Sequence, residues 1–112
     1  MSDPRIAAAL ATLERAKARL IATGETRTIH GGGRAPARSD RFNRASAEIH
    51  AAKQARNRLL VEILGTDTDT VPVVVAEEFG LTGREAIQIL DTARGGTRRL
   101  QRFLFGDDWR AR

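Results

Sequence analysis

The sequence predicts an all-α protein whose N-terminal part is a helical hairpin of two long helices. Aromatic residues are scarce, with four Phe, one Trp and no Tyr. Alanine and arginine are abundant, so a core must be built from Ala, Leu, Ile and Val at close helix crossings. Apolar residues recur at steps of three and four, the period of one helix face. The long stretches are bracketed by a capping residue in front and a glycine behind. A chain of 112 residues has room for one domain, or for one small domain plus an extended helical arm, with a modest core to which association would add stability.

The first helix is expected over residues 5–22, with Asp3 as N-cap, Pro4 at the first helical position and Gly24 as the stop. Its stripe of Ile6, Leu10, Leu13 and Leu20 has coiled-coil spacing, broken where Lys17 takes the apolar position beside Ala16. The stripe either packs within its own domain or joins two subunits.

Residues 24–38, GETRTIHGGGRAPAR, hold three consecutive glycines, a proline and the arginines Arg27, Arg34 and Arg38. That composition predicts a flexible basic loop. It is either a solvated linker or an arm that tracks phosphates or a minor groove.

Ser39 and Asp40 open a long helix that runs to Leu64 and closes at Gly65, about 39 Å at 1.5 Å per residue. Its stripe is Phe42, Ala45, Ile49, Ala52, Leu59 and Ile63. Ala9, Ala16, Ala45 and Ala52 allow the two long helices to approach closely as antiparallel neighbours. Leu59, Leu60, Ile63 and Leu64 are the expected dock for the C-terminal segment. The division is therefore residues 1–64, the hairpin, and residues 65–112, a C-terminal region of short helices.

After the polar connection TDTDTVP, residues 73–93 read as two short helices around a turn at Gly80. Thr70 is the expected cap and Pro72 the first position of a helix reaching Phe79. Val73, Val74 and Val75 are β-branched and would also suit a short strand, but the surrounding pattern favours helix. The second helix has a T-x-x-E capping box in Thr82 and Glu85, with Leu81 and Ala86 as its hydrophobic staple. Ala76, Gly80, Ala86 and Ile89 place a small residue, a glycine and inward apolar residues at the spacing of a tight helix crossing. A last helix is expected over residues 98–105. Phe103, Leu104 and Phe105 imply two apolar faces, so they or Trp109 either pack on the long helix or reach a partner subunit.

On those residues the segment resembles the helix-turn-helix of bacterial and phage DNA-binding regulators. The resemblance covers about a fifth of the chain and implies that the second short helix enters the major groove. Thr82, Gly83, Arg84 and Gln88 would then reach bases, arginine suiting guanine and glutamine adenine.

Charge qualifies this expectation. The net charge is +5 with a pI near 11.2, which favours an acidic partner such as nucleic acid. Residues 73–93, however, carry one base, Arg84, against Glu77, Glu78, Glu85 and Asp91. Phosphate anchoring is expected from the next segment, through Arg94, Arg98, Arg99 and Arg102.

Signs of catalysis are weak. The string HGGG at His30 resembles an oxyanion-hole motif, but the chain has no G-x-S-x-G and is too short for that fold. His30 and His50 lack ligand partners at metal spacing, and His50 suits a helix surface. Asp67 and Asp69 suit turn roles better than a calcium loop. The acid pairs Glu77–Glu78 and Asp107–Asp108 diverge on a helix, and Gly95–Gly96 lack the lysine of a P-loop. No cysteine is present, and neither a signal pattern nor a membrane-length apolar run occurs. The expectation is a cytoplasmic, non-enzymatic, sequence-specific regulator that binds double-stranded DNA as a homodimer. It calls for no metal, cofactor, small-molecule substrate or membrane. The alternatives are a helical assembly module and a non-specific binder of DNA or RNA that uses the basic arm.

Overall fold

A computed structural model describes residues 3–24 and 39–109, and the basic loop with Arg27, His30, Arg34 and Arg38 lies outside the described residues. Five helices and no strand occur among the described residues: α1 (Pro4–Ala22), α2 (Asp40–Leu64), α3 (Val73–Glu78), α4 (Gly83–Gly95) and α5 (Arg98–Phe105). None is long and apolar enough to cross a membrane.

Local chemistry sets the helix ends. Asp3 accepts from the Arg5 amide to start α1, with Pro4 as the first residue, and Ser39 does the same for Phe42 at the head of α2. Gly24, just past α1, and Gly65, the C-cap of α2, both take positive φ, which a glycine adopts without a Cβ penalty.

α1 and α2 pack along each other. Arg5 pairs with Glu62 and Arg19 with Glu48, so rising numbers on one helix meet falling numbers on the other and the two run antiparallel. Ile6, Leu13 and Ala16 are buried from α1 and Ala45 and Ala52 from α2. The stripe passes through Ala16 and leaves Lys17 on the surface beside Glu14. Ile6 and Leu13 of the α1 stripe are thus covered within the chain, while Leu10 and Leu20 are half-buried.

One apolar cluster draws on all five helices, including Ile6, Leu59, Leu60, Ala76, Phe79, Ala86, Ile89 and Phe105, with Ile63 and Leu64 packed against it. Helix α4 packs on α2, α3 and α5, and α5 also packs on α2.

The connection into α3 differs from expectation. Pro72 is the N-cap, with extended ψ, and α3 begins at Val73 with no side-chain cap. Thr70 is occupied in a local turn, where its amide donates to the Thr68 hydroxyl and its carbonyl accepts from it. Proline lacks an amide proton, so it serves at the cap as readily as at the next position. Phe79 is the C-cap of α3 and lies wholly inside the core.

The turn from α3 to α4 is fully specified. Gly80 has φ +69°, the Gly80 amide donates to Glu77 O, and the Leu81 amide donates to Ala76 O, both at 2.9 Å. This is the paired bonding of a glycine-terminated Schellman helix end. Thr82 then caps α4, accepting from the Glu85 amide at 3.1 Å while Glu85 accepts from the Thr82 amide at 3.0 Å. Three residues therefore end one helix and begin the next.

Polar side chains close other helix ends. Gln101, buried on α5, donates to Thr92 O at the end of α4. Gln54, Asn57 and Arg58, on one face of α2, donate to the last carbonyls of α5. The aromatic and leucine residues of α5 split three ways, with Phe105 buried and stacked on Trp109, Leu104 half-buried, and Leu100 and Phe103 exposed, the latter beside the His50 ring.

Candidate nucleic-acid interface

Helix α4 buries Ala86, Ile89, Leu90 and Ala93, which turns the opposite side outward. Arg84 and Gln88 lie one turn apart on that side, both exposed, with Ile87 beside them. They line an open groove that continues past Asp91 and Thr92 to Gly95 and Gly96. Thr82 is exposed but holds the capping box, and Gly83 is half-buried as the first residue of the helix. The structure thus brings Arg84 and Gln88 onto one accessible surface and leaves Thr82 and Gly83 at its N-terminal edge.

The electrostatics of that edge are mixed. Glu85 sits in the capping box with its carboxyl held below the ordinary glutamate range by the Thr82 amide and hydroxyl, aided by the charges of Arg56 and Lys53 on α2. A carboxylate already occupies the positive end of α4, so a phosphate there would compete with it. Arg56 is half-buried, and desolvation depresses its pKa while Glu85 opposes the shift.

The four arginines expected at phosphates fall into two kinds. Arg94 is engaged by Asp91 and by Asp69, at 3.1 Å, and its pKa is raised by these carboxylates. Its charge is neutralised locally. Arg98, Arg99 and Arg102 are exposed and have no ion-pair partner among the described residues. At about 100° per residue they span one contiguous arc of α5 in the order Arg98, Arg102, Arg99, which continues into Phe103 and Leu100. Arg98 also donates to the Trp109 carbonyl, which holds it near the chain end.

A second basic surface lies at the far end of the α1–α2 pair. Arg41 and Arg44 of α2 border a recess with Arg19 and Glu48, which pair with each other. Arg44 is sixteen residues from Leu60, about 24 Å along α2, so this surface is remote from the core under α4. No group of three or more potential metal ligands occurs among the described residues.

Family models, curated proteins and solved structures give no match to this chain.

Sequence reasoning missed Arg56 and the Gln54, Asn57 and Arg58 face. The available signal was polar: Asn57 stands two residues from Leu59 on the buried side of α2, at 3% exposure. A polar residue inside an apolar stripe implies a partner in another element.

Proposed function

We propose that this protein is a small sequence-specific DNA-binding protein, a transcriptional regulator acting as a homodimer, in which α3 and α4 form the helix-turn-helix and α4 is the reading helix. The reading is carried by the pairing of Arg84 and Gln88 on one exposed face of α4. In a major groove, Arg84 would offer two donors to guanine O6 and N7, and Gln88 a donor and an acceptor to adenine. Arg98, Arg99 and Arg102 supply charge for phosphates, with Arg94 a weaker contributor because of its two carboxylates.

Selection from random-sequence duplexes, followed by affinity measurements for the winner and a scrambled duplex across a salt series, tests this reading. It requires a palindromic winner bound about a thousandfold tighter than the scrambled duplex. Equal, salt-sensitive binding to both would replace it with non-specific binding through the basic loop. Absence of binding at low salt would leave a protein-assembly module, a reading favoured by the exposure of Val73, Val74, Leu100 and Phe103.

A further inference from the structure

Two helices leave apolar residues uncovered, and the two surfaces have opposite charge. On α3, Val73 and Val74 are 67% and 65% exposed, with Glu77 exposed between them at about 100° per residue. On α5, Leu100 and Phe103 are 49% and 61% exposed, and Arg99 flanks Phe103 on the same arc. Neither Glu77 nor Arg99 has an ion-pair partner among the described residues. Exposed apolar side chains grouped on one helix face are available to an interaction surface.

The chemistry of each face selects its occupant. The α3 face repels nucleic acid and fits a surface that is apolar and basic. The α5 face fits one that is apolar and acidic. Both helices pack on α4 with these faces turned to solvent among the described residues, and a second copy supplies the complement of both.

We infer that the α3 face of Val73, Val74 and Glu77 docks on the α5 face of Arg99, Leu100 and Phe103 of a second copy of this chain. The contact takes Arg99 out of the phosphate-binding set of the proposed function and leaves Arg98 and Arg102, on the other edge of the α5 arc, for phosphates. It rests on the self-association in the proposed function and not on base reading by α4. Helices of six and eight residues make a small contact of the weak class.

Sedimentation velocity on the full chain over about 10–500 μM tests the inference, since weak contacts of this size dissociate in that range. The wild type is expected to reach at least twice the monomer mass. Glu77→Arg and Arg99→Glu should each weaken association about tenfold or more, and Phe103→Ser should do the same. All three side chains are exposed, and unchanged helical circular dichroism confirms the fold of each variant. The double variant Glu77→Arg/Arg99→Glu should recover association, as should an equimolar mixture of the two single variants. A monomeric wild type would overturn both the homodimer and this contact. Association unchanged by Glu77→Arg and Arg99→Glu, or not recovered by the double variant, would overturn the contact alone. If Arg99→Glu reduces only affinity for DNA, the α5 face belongs to nucleic acid and the inference is overturned.

Discussion

The side-chain amide of Asn57, on α2, donates a 2.8 Å hydrogen bond to the main-chain carbonyl of Leu104 in the last turn of α5. The last four carbonyls of any helix lack partners within it. In α5 those of Phe103, Leu104 and Phe105 accept from Gln54, Asn57 and Arg58, while that of Arg102 accepts from the Gly106 amide. Three residues at i, i+3 and i+4 on the long helix therefore hold the terminal helix by its end. This fixes the arginine arc of α5 relative to α2.

Asn57→Ala should destabilise the protein by about 1–3 kcal/mol, the cost of leaving a buried polar group unpaired. Asn57→Asp should cost more, because a carboxylate would face the carbonyl. Gln54→Ala, at a more exposed position, should cost about 1 kcal/mol or less. Urea unfolding followed by helical circular dichroism reads all three. A midpoint for Asn57→Ala equal to wild type would show that water serves the Leu104 carbonyl as well as Asn57 does.

Two adjacent glycines should respond to alanine in opposite directions. A Cβ at Gly95, the last residue of α4, would meet nothing within 4 Å, whereas one at Gly96 would lie 2.8 Å from Thr92 O and 2.9 Å from Thr92 Cα. Gly95→Ala should stabilise by roughly 0.5–1 kcal/mol through helix propensity. Gly96→Ala must move backbone, and an overpacking cost of about 1–3 kcal/mol is expected. Thermal melts of the two variants should bracket the wild type, and melts falling on the same side would contradict the close approach at Gly96.

The capping box makes part of the stability of α4 depend on pH. The folded-state pKa of Glu85 is lowered from the ordinary value of 4.5, so its contribution is full above that value and fades as pH falls through the folded value. Glu85→Gln should therefore lower Tm slightly at pH 6, and the gap to wild type should narrow at pH 3. The group is exposed, so the difference amounts to about a few tenths of a kcal/mol. Thr82→Ala should cost about 1 kcal/mol, the usual loss for an N-cap hydroxyl. A gap for Glu85→Gln that widens on acidification would contradict a lowered pKa in the folded state.

What could be read from the sequence is what neighbours in sequence decide. Asp3, Ser39, Thr82 with Glu85, and the glycine ends at 24, 65 and 80 are settled within about four residues, and their cap geometries appear in the structure. Pro72 is harder to place because the Thr68 hydroxyl engages Thr70. The roles of Asn57 and Gln101 depend on carbonyls of other helices, and the constraint at Gly96 depends on how the chain leaves α4. At the site, the i, i+4 relation of Arg84 and Gln88 is legible from spacing alone. The engagement of Arg94 by Asp69, twenty-five residues away in sequence, is not.

Base-reading and phosphate-anchoring residues should separate in their mutational effects. If α4 reads bases, Arg84→Ala should cost about 1–3 kcal/mol on the selected duplex and little on a scrambled one, which flattens discrimination. Arg102→Ala should instead weaken binding to every duplex alike and reduce the slope of log K against log salt by about 1. Asp91 pulls the other way, since its carboxylate sits on the groove that a phosphate or base edge would enter. Asp91→Asn should raise affinity for the scrambled duplex several-fold, removing repulsion and releasing Arg94 from one of its two carboxylates. Fluorescence anisotropy titrations at four salt concentrations separate the three effects. Equal losses for Arg84→Ala on both duplexes would move Arg84 from the reading group to the anchoring group and leave α4 without a base-specific role for it.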